Sequence, residues 1–250
     1  MTQPVQIIGN YASPYVRKVL VCLELKGIAY QLDPIVPFYG DDEFTRLSPL
    51  RRVPVLIEGD LVLCDSSVIC QYLEDRTPEP ALYPRDIATR ARARWLEEYA
   101  DTRLGDLLIW RLFNQVLIRR VIFGEKADAE LVQRTLEQDV PEMLDWLEAQ
   151  APASGFMFGE ALSIADISLA SFFRNAGFVR FTIDPVRWPR SAGYIGRVLE
   201  SPPFVKLRPF EDLIMRTPIA QHRAALAELG APLSGESVAA ETPRRGVMPI

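Results

Sequence analysis

The chain has 250 residues and a formal net charge of −5, with 48% hydrophobic and 24% charged residues, close to the average for a soluble globular protein. This acidic balance argues against a nucleic-acid-binding protein, which normally carries a basic face. One histidine excludes a multi-histidine metal site, and three cysteines without a CxxC spacing argue against a disulfide framework or a zinc finger. The first residues have no basic segment followed by a long apolar run, so we expect a cytoplasmic protein without a membrane partner.

The first 80 residues predict strands that alternate with helices. Ser13 is a preferred helix N-cap, Pro14 suits the first helical position, and Gly27 is placed to end that helix. The order is therefore β-α-β-α-β-β-α. The predicted strands lie at 5–9, 29–36, 53–57 and 61–64, and the predicted helices at 14–26, 41–47 and 66–75.

The character of the chain changes after a proline-rich linker at 77–84. From there on the apolar residues recur at helical spacing, without strand-like alternation. The last residues, 231–250, lack periodicity and predict a flexible tail. We therefore expect a domain at 1–80, an all-helical domain at 86–230 and the tail. The helical patterns lie at about 86–122, 128–150, 164–178, 191–200 and 217–229.

Three short motifs of the first domain occur in a fixed order relative to the predicted strands and helices. Ser13-Pro14 opens a helix after a strand, Val53-Pro54 stands where a strand begins, and Asp65-Ser66 precedes the third helix. With the linker and the helical domain, they resemble the cytosolic glutathione transferases over about residues 5–230. The resemblance implies an α/β thioredoxin-like N-terminal domain and an all-α C-terminal bundle. It is closest to serine-type members such as the tau class, and the arginine-rich composition suggests a bacterial one.

The resemblance implies glutathione as co-substrate and assigns its contacts. Asp65 would pair with the γ-glutamyl ammonium, and Ser66 would bind the γ-glutamyl carboxylate at a helix N-terminus, which attracts anions. The backbone of Val53, held by a cis bond to Pro54, would pair with the cysteine of glutathione like an added strand. From the residues alone, the Asp-Ser pair equally predicts a helix cap, and the proline an edge-strand position.

Ser13 matches the catalytic serine of the serine-type classes, whose hydroxyl donates a hydrogen bond to the glutathione sulfur. Lowering a thiol pKa by two units requires roughly 2.7 kcal/mol, and a charge-assisted hydrogen bond supplies about 1.5–3 kcal/mol. The alternative is that Ser13 is only an N-cap. Tyr11 is a rival hydroxyl, and we assign it instead to a wall of the pocket for the second substrate.

The sequence departs from the family pattern at 38–42. Many members hold the glycine carboxylate there with a basic residue, whereas this stretch is aromatic and acidic. We assign that role to Arg52, with Arg46 as the alternative. The resemblance also places Asp101 near the γ-glutamyl ammonium across a dimer interface. The candidates for the electrophile pocket are Tyr11, Phe38, Tyr39, Trp110, Phe113 and Asn114. The alternative for the aromatic residues is a core position, which is more typical of an aromatic stripe at helical spacing.

Ser163 and Asp166 match a capping box in the helical domain, which is a folding element. The leading functional hypothesis is a homodimeric detoxification enzyme that conjugates glutathione to an apolar electrophile. One alternative is a non-catalytic adaptor that binds a protein partner. Another is a glutathione-dependent dehalogenase or isomerase, because a fold alone does not fix the chemistry.

Overall fold

The computed structural model describes residues 4–246, which form two compact units. The first unit contains the described residues up to Pro80 together with those from Pro202 onward, and the second is Ala81–Ser201. Among residues 4–246, no helix is long and apolar enough to cross a membrane. The same residues contain no cluster of three or more His, Cys, Asp or Glu side chains that would hold a metal ion.

A four-stranded sheet organises the first unit, with the strand order β2-β1-β3-β4. Strand β1 pairs in parallel with β2 and antiparallel with β3, and β3 pairs antiparallel with β4. This confirms the predicted thioredoxin-like topology. The strands are β1 (Val5–Ile8), β2 (Tyr30–Asp33), β3 (Val55–Glu58) and β4 (Leu61–Cys64), and the helices are α1 (Pro14–Lys26), α2 (Asp42–Leu47) and α3 (Ser66–Arg76), with a 3-10 turn at Pro37–Tyr39.

Helix α1 begins and ends where the sequence predicts. Ser13 caps its first turn, and Pro14 occupies a position whose N–H has no helical partner. Gly27 closes the helix in the left-handed conformation with φ 63°, and its N–H bonds to the carbonyls of Leu23 and Glu24. The helix packs into the interior of the unit because most of its side chains are buried.

The second unit is helical, as predicted. Asp166 is fully buried at the start of α8, where it accepts hydrogen bonds from the backbone and hydroxyl of Ser163 and from the hydroxyl of Tyr194. The capping box is therefore confirmed. The elements are α4 (Ile87–Tyr99), a π-helical segment (Ala100–Ile118), α5 (Arg119–Phe123), α6 (Ala129–Arg134), a second π-helical segment (Thr135–Asp139), α7 (Val140–Gln150), α8 (Ile164–Phe178) and α9 (Pro189–Leu199).

The C-terminal region differs from the prediction. Helices α10 (Pro202–Arg216) and α11 (His222–Glu228) belong to the first unit, whereas the sequence placed residues up to 230 in the helical domain. Helix α10 was not predicted, because its three prolines mask the helical pattern. Two of them lie at its start, where a missing N–H costs nothing, and Pro209 is tolerated inside the helix.

Residues 232–244 do not form the free tail that the sequence predicts. The N–H of Leu32 in β2 donates to the carbonyl of Pro232 at 2.7 Å, and the N–H of Ser234 donates back to the carbonyl of Leu32 at 3.0 Å. The N–H of Asp41 then bonds to the carbonyl of Val238 at 2.9 Å. This C-terminal segment (residues 232–244) therefore covers the outer edge of β2. Its own backbone forms hydrogen bonds with the backbone groups of that edge, and such bonds require no apolar periodicity in the sequence. Residues 247–250 of the predicted tail lie outside the described residues.

Candidate active site

Three turns of the first unit meet at one end of the sheet. The last residue of β1, Ile8, pairs with Val55 at the start of β3, and Val55 in turn pairs with Cys64 at the end of β4. The turn that follows β1 leads to Ser13, the residues before β3 are Val53-Pro54, and Asp65-Ser66 follow β4. The sheet register thus brings the three predicted motifs to the same end of the sheet.

Asn10 organises the turn that leads to Ser13. Its backbone carbonyl accepts from the Ser13 N–H at 2.9 Å, and its side-chain Oδ1 accepts from the Ala12 N–H at 3.0 Å. The Nδ2 of Asn10 donates to the carbonyl of Pro34 at 3.2 Å. Since Asn10 is 3% exposed, these bonds are shielded from water and fix the backbone in front of α1.

Ser13 is half-buried at the N-terminus of α1. Its Oγ accepts from the Val16 N–H at a long 3.4 Å. A hydroxyl that accepts one bond keeps its own hydrogen for another acceptor. The capping role and the predicted catalytic role are therefore compatible, and the positive end of the helix dipole adds to the attraction of an anion at this place.

Gly9 permits the close approach of these turns. Its φ is +155°, and a Cβ atom at this position would lie 2.4 Å from a Val16 methyl group and 3.3 Å from Cβ of Val53. Only glycine adopts this backbone without a clash. Gly9 was not predicted as a site residue from the sequence, although a glycine directly after a buried strand indicates a turn or a close approach of the backbone.

The bond between Val53 and Pro54 is cis, as the resemblance implies. Within residues 4–246, no hydrogen bond engages the backbone N–H or C=O of Val53. Ser48 holds the preceding residue from both sides, because its Oγ donates to the carbonyl of Arg52 and accepts from the Arg52 N–H, at 2.9 and 3.0 Å. A short extended peptide would find in Val53 a donor and an acceptor of the kind that strand addition uses.

Asp65 has a φ of +79°, which is strained for a residue with a side chain. Its Oδ1 accepts from the N–H groups of Ser67 and Val68, at 2.9 and 3.3 Å, so the cap reading is correct for this oxygen. Such strain persists only where the surroundings impose it, and it is concentrated at ligand sites. Ser66 is 3% exposed at the start of α3, and Lys18 of α1 donates to Ser67 at 3.1 Å, which ties the two helix starts together.

The basic residues near the site have different partners. Arg51 is buried, and its guanidinium bonds to the carbonyls of Gly40 and Asp41, at 2.7 and 3.3 Å, so it braces the loop before α2. Arg46 forms an exposed pair with Glu43. Arg52 is exposed, and no partner holds its guanidinium among residues 4–246. Of the two arginines assigned to the glycine carboxylate, Arg52 is the one with an uncommitted charge.

Not all the aromatic residues of the first unit that were predicted to line the electrophile pocket are accessible. Tyr11 is 1% exposed and its ring stacks on Phe210 at 5.0 Å between centroids, which places it in the core and not on a pocket wall. Burial also raises the pKa of its hydroxyl far above the usual value, so it stays protonated. Phe38 is 7% exposed, and Tyr39 is half-buried. Both lie where the C-terminal segment bonds to the chain, through Arg244 and Ala240.

The other predicted site residues lie in the second unit, on the π-helical segment. Asp101 and Trp110 are half-buried, and Phe113 is 5% exposed. Asn114 is fully buried, and neither polar atom of its side chain has a partner among residues 4–246. Trp110 is therefore the most accessible of the pocket residues predicted in this unit, and Phe113 and Asn114 are interior residues.

Two family models match the chain. The model of the glutathione S-transferase N-terminal domain matches residues 7–81, and that of the glutathione S-transferase C-terminal domain matches residues 94–197. Together they cover more than half of the chain.

Individual proteins agree with these matches. A GST-like protein of Escherichia coli K12, YibF, is 36% identical over 78% of this chain and 92% of its own length. Glutathione S-transferase Z2 of Arabidopsis thaliana is 29% identical over 80% of this chain and 88% of its own. The crystal structure of a glutathione S-transferase from Rhodospirillum rubrum F11 superimposes with a TM-score of 0.74 at 27% identity, over 81% of this chain and 91% of that one.

Proposed function

The chain belongs to the glutathione S-transferase family and is a glutathione transferase with glutathione as co-substrate, and we propose that it is a serine-type enzyme in which Ser13 stabilises the glutathione thiolate. The observation that carries this proposal is the convergence of Ser13, Val53-Pro54 and Asp65-Ser66 at one end of the sheet. Each motif supplies a different chemical group to the same edge.

The groups present match the three parts of glutathione. The free backbone of Val53 suits the cysteine residue of the tripeptide, since both are extended peptides. The N-terminus of α3 at Ser66 suits the γ-glutamyl carboxylate, and the second oxygen of Asp65 suits the ammonium. The uncommitted guanidinium of Arg52 suits the glycine carboxylate.

In the proposed reaction the thiol of glutathione loses its proton to solvent. The Ser13 hydroxyl donates to the resulting thiolate, and the N-terminus of α1 adds favourable electrostatics. The sulfur then uses its electron pair to form a C–S bond with an electrophilic carbon. A leaving group departs with the electrons of its own bond or, in an addition, the displaced electron pair takes a proton from water. Proximity and thiolate formation account for the rate enhancement.

The thiolate absorbance of bound glutathione tests this role. We expect Ser13→Ala to contain roughly 10- to 150-fold less thiolate at a fixed pH below the thiol pKa, because it loses a hydrogen bond of about 1.5–3 kcal/mol. The matched control Ser13→Thr keeps a hydroxyl and should retain most of the signal. Equal thiolate signals in Ser13→Ala and wild type would overturn the assignment.

We also propose that the enzyme is a cytoplasmic homodimer that acts in detoxification. Several large apolar side chains of the first unit are more than a third exposed: Leu50, Leu61, Val62 and Val68. The homodimer is what the resemblance to the family implies, and exposed apolar side chains are the surface groups that a contact with a second copy would cover. A supply of reduced glutathione, which the reaction consumes, is a property of the cytosol. Sedimentation of wild type against Val68→Glu tests the dimer, since a charge at the interface should shift the equilibrium towards monomers.

A further inference from the structure

The only histidine of the chain, His222, links the C-terminal region to the turn in front of Ser13. It begins α11 and is 7% exposed. Its Nδ1 lies 3.3 Å from Nδ2 of Asn10, and its Nε2 lies 2.9 Å from the carbonyl of Thr217. The imidazole is thus held at both ring nitrogens.

These partners define the tautomer. Nδ2 of Asn10 carries hydrogens and no lone pair for accepting, so Nδ1 of His222 must accept. The carbonyl of Thr217 only accepts, so Nε2 must carry the hydrogen. The imidazole is therefore neutral, and burial lowers its pKa in agreement with that state. A proton on Nδ1 would face the amide hydrogens of Asn10.

Asn10 passes this constraint to Ser13. One hydrogen of its Nδ2 is directed to the carbonyl of Pro34 and the other to His222, which fixes the side-chain amide. The amide oxygen then holds the Ala12 N–H, and the Asn10 carbonyl holds the Ser13 N–H. The side-chain amide and the backbone carbonyl of Asn10 thus have defined partners, and one of these partners is a residue 212 positions away in sequence.

We propose that His222 is a positioning residue for Ser13, acting through Asn10. This inference rests on the proposed role of Ser13. A hydroxyl that stabilises a thiolate must be held within about 0.5 Å of its productive position, and such precision needs supporting hydrogen bonds behind it. Without the His222 acceptor, one hydrogen of the Asn10 amide loses its partner, and only the bonds to Pro34 and Ala12 hold the side chain, so the turn is fixed less firmly.

The test uses the full chain and two probes. The thiolate absorbance of bound glutathione reports the thiol pKa, and S-methylglutathione, which has no thiol, reports the integrity of the binding site. We expect His222→Leu to raise the pKa of the bound thiol by about one unit, which is about tenfold less thiolate at a fixed pH. The affinity for S-methylglutathione should change by less than about threefold, since its contacts at Val53, Ser66 and Arg52 remain.

Conservative and neighbouring variants complete the series. His222→Gln keeps an acceptor and a donor, and should retain wild-type thiolate within about twofold. Gln221→Ala, an exposed neighbour, should behave as wild type. If His222→Leu does not fold, Asn10→Ala breaks the same link and should raise the thiol pKa to a similar extent.

Two results would overturn the inference. In the first, Ser13→Ala removes the thiolate signal, whereas folded His222→Leu or Asn10→Ala leaves the thiol pKa unchanged. In the second, nitrogen NMR of the single imidazole shows the hydrogen on Nδ1 at neutral pH. A Ser13→Ala variant with an unchanged thiol pKa would instead reject the proposed function, so the two failures are distinguishable.

Discussion

Arg17 of α1 and Glu211 of α10 form a buried ion pair in which Nε of the arginine donates to the carboxylate. The side chains are 0% and 3% exposed, and Nη2 of Arg17 also donates to the carbonyl of Tyr11 at 3.3 Å. This pair joins the helix that begins at Ser13 to a helix nearly 200 residues later in the chain. The C-terminal region is therefore part of the framework that holds the candidate active site.

Removal of one partner should be costly. We expect Glu211→Ala to lower the free energy of unfolding by about 3–5 kcal/mol, because it leaves the Arg17 charge buried without its carboxylate. Denaturant unfolding measures this change. Glu43→Ala, at the exposed pair with Arg46, is the control and should have little effect. A similar small change in both variants would show that Glu211 is not required to neutralise Arg17.

Substitution of Gly9 should damage both the fold and the site. The added methyl group of Gly9→Ala would clash with Val16, and φ of +155° is unfavourable for alanine. We expect a loss of about 1–3 kcal/mol in unfolding free energy and weaker glutathione binding. Gly196→Ala in α9 is the control, because its Cβ would meet nothing within 4 Å and alanine favours a helix. An unchanged melting temperature in Gly9→Ala would contradict the close packing of this turn.

Local signals made the first domain predictable. The N-cap at Ser13 and the closing Gly27 each act within a few residues, so they follow from the local sequence, whereas the cis bond before Pro54 was implied by the family resemblance. The contacts of His222 with Asn10 and of Glu211 with Arg17 join distant residues. The periodicity of the sequence does not reveal such pairs, because a single histidine or glutamate on a helix gives no indication of whether its side chain is solvated or buried.

The C-terminal segment illustrates a second limit. It is held by backbone hydrogen bonds and by polar contacts to Asp33, so it needs none of the apolar periodicity from which elements are predicted. Asp33 is 4% exposed and receives bonds from the Ser237 hydroxyl and the Val238 N–H, at 2.7 and 2.8 Å. A polar sequence without hydrophobic periodicity therefore predicts disorder, even where hydrogen bonds to an edge strand order its backbone.

Deletion of residues 231–250 should destabilise the first unit. The deletion takes two donors from the buried Asp33 carboxyl and uncovers the edge of β2. We expect a loss of about 1–3 kcal/mol, because Oδ2 of Asp33 loses the Val238 N–H, whereas Oδ1 keeps its bond from Arg223. Chemical denaturation of the full and shortened chains measures it, with Glu241→Ala, an exposed substitution in the same segment, as the control. Equal stability of the two chains would mean that the segment contributes no net free energy.

Arg52 should recognise the glycine carboxylate. We expect Arg52→Ala to weaken glutathione binding about ten- to hundredfold, because a charge-assisted hydrogen bond is lost. Binding of γ-glutamylcysteine, which lacks the glycine, should be unchanged, and calorimetry with both ligands makes the comparison. Arg46→Ala is the matched control, since its guanidinium is paired with Glu43. An equal loss for both ligands would assign Arg52 a general electrostatic role.

His222 should make stability depend on pH. Burial lowers its pKa below the usual value of about 6.5, so the folded state binds this proton less readily than the unfolded state does. As the pH falls below about 6.5, the unfolded chain takes up a proton first, and the free energy of unfolding decreases by at most about 1.4 kcal/mol per pH unit. The contribution of the neutral, buried imidazole to stability is fully present above that pH and is lost on acidification towards the pKa of the folded state.

The variant His222→Gln has no imidazole to take up this proton. Between pH 5 and 7 its unfolding free energy should therefore fall less steeply on acidification than that of wild type. Parallel slopes for the two proteins in denaturant titrations would mean that the imidazole has the same pKa in the folded and unfolded states, which would contradict the effect of its burial.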